Sequence, residues 1–219
     1  MEQEKQHLSL LNKGNHGYQL AYKLACEQLS KIKDIKQQCL KSAAQYHITD
    51  SQITIIIHYL NHPYTITLPE ITISRKDCEE EIPIREKILI LHYLTQAKGT
   101  QPSKRIIAYQ QLPEGIVYFP TFSKRTIIPL LDYFGSEPQR LLDIARLLGG
   151  YQVDYGDIAV TIDAFNRVSI MLVIWSGDEE FDPRGSIMFD STISDYLTTD
   201  DINVLCEIIT WKLVKLLKA

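Results

Sequence analysis

The sequence predicts an α+β fold: a mainly antiparallel sheet with helices packed on it, in a single domain. Three observations carry that expectation. Helical and strand-like segments come in blocks, without the strict βαβ alternation of a doubly wound sheet. Two β-rich stretches, 53–68 and 157–175, each double back through a short connection, Leu60-Asn-His-Pro63 in the first and Phe165-Asn-Arg167 in the second. At 219 residues, 45% of them apolar and 23% charged, the chain is long enough for one large core and marginal for two. It shows no repeat period, low-complexity tract or Pro/Gly/Ser linker. The reading is a flexible tail over 1–15 and one domain over 16–219.

The elements follow from local pattern. From about Gly17 a helix is marked by Leu20, Ala21, Leu24, Ala25 and Leu29 at three- and four-residue spacing. A second helix is expected over 32–46, with Ile35, Cys39, Leu40, Ala43 and Ala44 on one side. The β-branched and aromatic runs 53–59 and 64–68 predict a hairpin, and 71–73 a short third strand. Residues 83–97 predict a central helix, apolar nearly all round, with Pro83 in its first turn and Gly99 just past its end. Strands are expected over 106–109 and 116–119, with a turn at 112–115. A short helix over 129–133 should end at Gly135. Ser136 should cap the next helix, with Gln139 completing a capping box. That helix should bury Leu141, Leu142, Ala145 and Leu148, and stop at Gly149-Gly150. The strongest strand pair is 157–164 with 168–175. The second of these is apolar on both faces and so belongs at a sheet centre. A short strand over 187–189 precedes the final helix. Thr198 caps that helix, Asp200 and Asp201 favour its N-terminal dipole end, and Ile202, Leu205, Cys206, Ile209, Leu213 and Leu216 form its apolar stripe.

The composition narrows the function. A net charge of −4 argues against nucleic acid as a partner, and the lysines at 31, 33 and 36 and at 212, 215 and 218 read as solvated helix faces. Cys26, Cys39, Cys78 and Cys206 lack metal-clip spacing, so free thiols are expected. The polar start shows no secretory signal, and no apolar run is long enough to span a bilayer. A cytoplasmic setting without membrane contact follows as an expectation. P-loop, G-x-G-x-x-G, G-x-S-x-G and H-E-x-x-H patterns are lacking.

Two segments look like site material. The run from Trp175 to Gly185 crowds Asp178, Glu179, Glu180 and Asp182 together, and Asp190 follows. Crowded carboxylates repel unless a positive group sits among them. A hard divalent cation such as magnesium or calcium, an arginine or a helix N-terminus would each serve. The alternative is a solvated loop with Trp175 and Phe181 packed beneath it. In the second segment Tyr118, Phe119 and Phe122 precede Lys124 and Arg125. Aromatics beside cations can hold a flat anionic ligand by stacking and charge, with Trp175 and Asp178 as further contacts. They equally make core and rim. His58 and His62 sit on a hairpin, so they lack the geometry of a helical metal-binding pair. His92 reads as a buried histidine with one hydrogen-bond partner, or else as an axial ligand to a metal-bearing ring.

One resemblance covers nearly the whole chain, about 17–216. The series Ile88-Leu-Ile-Leu-His-Tyr-Leu94, Gly115-Ile-Val-Tyr-Phe-Pro120, Leu148-Gly-Gly150, Gly156-Asp157, Ile174-Trp-Ser-Gly-Asp-Glu-Glu-Phe181, Met188-Phe-Asp190 and Tyr196-Leu-Thr-Thr-Asp-Asp201 resembles the bacterial and archaeal domain-of-unknown-function family 3786. The family supplies no catalytic residues. Some members carry a corrinoid-type iron–sulfur domain, which implies a setting in anaerobic corrinoid or iron–sulfur metabolism. The resemblance therefore implies a corrinoid or iron–sulfur protein as partner and a corrinoid or other tetrapyrrole as ligand. This chain lacks the cysteine-rich segment, so no iron–sulfur cluster is expected in it. The functional expectation is a non-catalytic ligand- or partner-binding accessory module. The alternative is a metal-assisted hydrolase or transferase using the Asp178–Asp190 carboxylates.

Overall fold

A computed structural model describes residues 17–76 and 80–219. The tail expected over 1–15 and Cys78 lie outside the described residues. All strand pairings are antiparallel and join into one nine-stranded sheet, so the α+β expectation holds. Among the described residues, no helix is long and apolar enough to cross a membrane.

Helix α1 (17–30) buries Ala25 and Leu29, while Leu20 and Leu24 of the expected stripe are exposed. Helix α2 (Ile35–Lys41) is shorter than its pattern suggests. Ala43 takes a positive φ of 51°, and the chain turns into β1 (Gln45–Ile48), an exposed strand that sequence did not predict. The hairpin β2 (Ile53–Tyr59) and β3 (His62–Leu68) closes more tightly than expected. Its loop is Leu60-Asn61, both at positive φ, so His62 and Pro63 are strand residues. Strand β4 (Thr72–Arg75) adds the outer edge.

Helix α3 (Ile84–Gln96) is the central helix expected, with Ile88 to Leu91, Tyr93 and Leu94 buried. Strand β5 (Ile106–Ala108) leads through a 3-10 turn (Tyr109–Gln111) into α4 (Gly115–Arg125). The strand expected over 116–119 is therefore a helical turn. Gly115 is required there, because a Cβ would sit 2.1 Å from the Tyr109 carbonyl oxygen. Helix α5 (Ile127–Phe134) ends at Gly135 as expected. Helix α6 (Gln139–Arg146) follows Pro138 without a side-chain cap, so Ser136 does not cap it. The short strand β6 (Tyr151–Val153) was also unpredicted. Then come β7 (Ile158–Phe165), β8 (Val168–Trp175), β9 (Arg184–Asp190), a 3-10 turn (Ser191–Asp195) and α7 (Thr199–Leu217).

The sheet runs β4-β3-β2-β7-β8-β9-β5. β3 takes one side of β2 along its length, so β1 and β7 share the other side end to end. β6 and β2 likewise share one side of β7. β2 and β7 meet only at Tyr59 and Phe165. Two half-sheets thus join at one bridge. A column of rings crosses it: Tyr64, Tyr59, Phe165, Tyr93 and Tyr196, with successive centroids 5.6, 5.0, 4.1 and 5.9 Å apart.

One sheet face carries Ile158, Val160 and Ile162 from β7, Ile170, Leu172 and Ile174 from β8, and Ile187 and Phe189 from β9. These residues are buried, and the helices cover them. Helix α7 contacts α3, α4, α5 and α6, while α5 lies on β9 and α6 on β7. The α7 stripe expected from sequence is buried from Ile202 to Leu213.

Candidate functional site

Alternation along a strand sends every second side chain to the other face. On β7, β8 and β9 that set is Ala159 and Thr161, then Met171, Val173 and Trp175, then Ser186 and Met188, with Ile106 from β5 and Tyr151 from β6 beside them. None of Ala159, Met171, Val173 or Met188 belongs to the helix-covered core cluster. The loop 154–157 folds over one end of this face. Gly156 sits at φ +58, where a Cβ would lie 2.6 Å from Val173 Cγ1 and 3.2 Å from Trp175 Nε1. Tyr155 meets Trp175 edge to face at 6.5 Å, and Asp157 Oδ2 accepts a bond from the Ser176 backbone N–H at 2.8 Å. The other end is open. Tyr151 is 49% exposed and Ile106 37%, and with Pro102, Thr161, Met171 and Met188 they line a shallow hollow of about 230 Å³. Strand β8 is central, as its two apolar faces predict, yet among the described residues one of those faces is open at one end.

The acidic residues are arranged differently from the cluster that sequence suggested. Asp178 closes its own turn. Its Oδ1 accepts the Glu180 and Phe181 backbone N–H groups, each at 2.8 Å, and its N–H donates to the Phe181 carbonyl at 2.9 Å. Those two backbone bonds lower the Asp178 pKa. Glu179, Glu180 and Asp182 are exposed around the turn, and Phe181 is 60% exposed instead of packed beneath it.

Asp190 lies at the far end of β9, about 20 Å away at ~3.3 Å per residue. It is a structural clamp. Its carboxylate accepts from Ser103 N (3.1 Å) and Oγ (2.9 Å), Lys104 N (2.7 Å), and Thr192 N (3.0 Å) and Oγ1 (2.7 Å). The five carboxylates therefore have no common centre, and among the described residues no group of three or more His, Cys, Asp or Glu is placed to hold a metal ion.

Partial burial pushes the Asp190 pKa up, but the bonds from Thr192 and Ser103 outweigh it and bring it to about 2. A folded pKa below the unfolded value stabilises above the unfolded value and is lost as pH falls through the folded one. Urea midpoints of the wild type should drop between about pH 4 and pH 2, and Asp190→Asn should flatten that drop. Parallel curves for the two proteins would refute the clamp.

The aromatic segment divides between core and surface because it is helical. Phe122 is fully buried and stacks on Tyr109 at 3.7 Å, so the ligand contact expected of it gives way to core packing. Tyr118 is exposed beside a hollow with Pro113, Glu114, Leu197 and Asp200. Lys124 and Arg125 are exposed, and Arg125 leans toward Glu207 at 3.7 Å. Trp175 is the last residue of β8, on the sheet-face side, and Asp178 lies in the turn that follows. The structure therefore does not bring the six candidate ligand residues together.

His92 is part-buried, its side chain 22% exposed, instead of buried as expected, and among the described residues it has one side-chain partner: Nδ1 is 2.7 Å from Asp201 Oδ1. Asp201 also caps α7 by accepting Thr198 N (3.2 Å) and Oγ1 (2.7 Å). Burial raises its pKa, but the His92 and Thr198 bonds prevail and hold it below the usual carboxylate range.

The family model for a domain of unknown function (DUF3786) matches residues 34–211. The chain belongs to that family. No curated protein and no solved structure matches it. Seen on the DUF3786 fold, the segments that carried the resemblance are largely joints. Gly115 admits the Tyr109 carbonyl, Gly156 admits Val173, Asp157 fastens Ser176, Asp190 clamps residues 103–104, and Asp201 caps α7. Sequence reasoning missed the open face, because the apolar second face of β8 reads as burial whether or not a helix lies over it.

Proposed function

We propose that this DUF3786 domain is a non-catalytic binding module that docks a partner protein on the open half of its sheet. One observation carries the reading. A sheet face open to solvent ordinarily alternates to polar side chains, yet here, among the described residues, Tyr151, Met171, Met188 and Ile106 line an open hollow. Methionine and tyrosine suit such a surface. The thioether adapts to irregular shapes, and tyrosine offers apolar area with a polar tip. The non-catalytic part rests on dispersed carboxylates and on His92 held by Asp201. A corrinoid or iron–sulfur protein of anaerobic metabolism is the partner class the family resemblance implies.

The test is site-specific photo-crosslinking in native cells. A photoreactive residue at position 188 should give one discrete adduct, identified by mass spectrometry, and the same residue at exposed Lys36 on α2 should not. Adding Tyr151→Ala and Met171→Ser should reduce the adduct at least about tenfold, a loss of ~1.4 kcal/mol in binding. No adduct at 188, or equal adducts at both positions, would overturn the reading.

A further inference from the structure

The groove between α3 and α7 lies apart from the open sheet face and carries a separate inference. Glu86, in the first turn of the apolar helix α3, is only 4% exposed, and its Oε1 lies 3.0 Å from Lys212 Nζ. Its neighbour Arg85 forks onto Glu207 at 3.3 and 2.9 Å. Both carboxylates are thus already neutralised. Two buried donors nearby have no acceptor among the described residues: Arg85 Nε and the Tyr59 hydroxyl. Tyr59 is fully enclosed beside Glu86. Burial, then the charge of the Glu86 carboxylate and a side-chain interaction with it, push its pKa well above 10, so the hydroxyl already lies against Glu86 but short of full hydrogen-bond geometry.

Buried donors left without acceptors call for an explanation; for Arg85, which lines the groove, an acceptor-rich ligand is one, while Tyr59 is not among the lining residues and is reached only through Glu86. The groove has room, at about 330 Å³, and is lined by Arg85, Glu86, Glu207, Trp211, Lys212 and Lys215. Lys215 forms no ion pair among the described residues. Trp211 is 47% exposed on a helix whose other large apolar residues mostly turn inward. An exposed indole that lines one groove with two ammonium groups can hold a flat anion by stacking and charge. It is the chemistry expected of the aromatic segment at 118–125, realised at a different place.

We infer that the α3–α7 groove binds a small planar anion of the heteroaromatic carboxylate class. Its ring lies on Trp211 and its carboxylate meets Lys212 and Lys215. As Lys212 turns to the ligand, Glu86 turns to the Tyr59 hydroxyl, so neither the carboxylate nor the phenol is left unpaired.

Nicotinate is the probe, with nicotinamide (planar, neutral) and inorganic phosphate (charged, not planar) as controls. Binding is followed by calorimetry and by tryptophan fluorescence. Nicotinate should bind saturably and quench Trp211, and Trp211→Phe should remove the quench while Trp175 still emits. Both controls should bind at least about tenfold more weakly. Lys215→Gln, an exposed change that spares the fold, should weaken nicotinate at least about tenfold. Tyr59→Phe should weaken it too, with an unchanged urea midpoint. Nicotinate that fails to saturate, nicotinamide binding as tightly, or an unaltered affinity in Lys215→Gln would each overturn the site. An unaltered affinity in Tyr59→Phe would overturn the Glu86 exchange.

Discussion

Phe165→Ala is expected to cost about 3–5 kcal/mol of unfolding free energy, among the largest effects of any single truncation in this chain. Phe165 is the β7 half of the single bridge between the half-sheets. Its ring stacks on Tyr93 at 4.1 Å and lies 5.0 Å from Tyr59. Truncation opens a cavity where three elements meet, and among the described residues the bridge is reinforced by a backbone bond from the loop just after β2, the Leu60 N–H to the Ala164 carbonyl. The surrounding residues cannot collapse into the gap without moving one half-sheet against the other. Urea unfolding followed by far-UV circular dichroism measures the loss. A cost below about 1 kcal/mol would show that the bridge is not a structural keystone.

The second large effect distinguishes the two faces of β8. Ile170 and Leu172 are fully buried under the helices, so Ile170→Ala or Leu172→Ala should each cost about 2–4 kcal/mol. Met171 lies between them in sequence and points to the open hollow. Met171→Ala should cost less than about 1 kcal/mol, because its side chain is only partly withdrawn from water. The same urea titrations decide it. Equal costs at 170, 171 and 172 would mean that something covers the second face, and near-zero costs at all three would misplace the strand.

The sequence was readable where the signal is local. The alternation of Ile158, Val160 and Ile162, the stripe from Ile202 to Leu213, and the Thr198 cap each carry their own period or hydrogen bond, and each appears as expected. Segments that depend on distant partners were not readable. Ile116 to Phe119 looks like a strand by residue type, but the stacking of Phe122 on Tyr109 and the tight seat of Gly115 make it helix. β1 and β6 exist because β2 and β7 leave each other's edges free. The Asp190 clamp spans 87 positions to Ser103, beyond any local spacing rule. Of the candidate site, the crowding of Asp178 to Asp182 was visible. That Asp190 belongs elsewhere, and that Glu86 is buried on an apolar helix against Lys212, depends on contacts across the fold.

The column Tyr64, Tyr59, Phe165, Tyr93 and Tyr196 has an optical consequence. Tyrosine rings held this closely and rigidly, away from solvent, form a coupled chromophore whose ultraviolet chirality depends on their mutual angles, such as the 9° between Tyr93 and Phe165 and the 67° between Tyr59 and Tyr64. The domain therefore carries its own dye at the seam of its sheet. Trp175 lies beside the loop-covered end of the sheet face and Trp211 in the helix groove, so they supply two further, separable colours. Relative movement of the half-sheets would alter the tyrosine band while leaving both indoles dark to it, and an event at either surface would do the reverse.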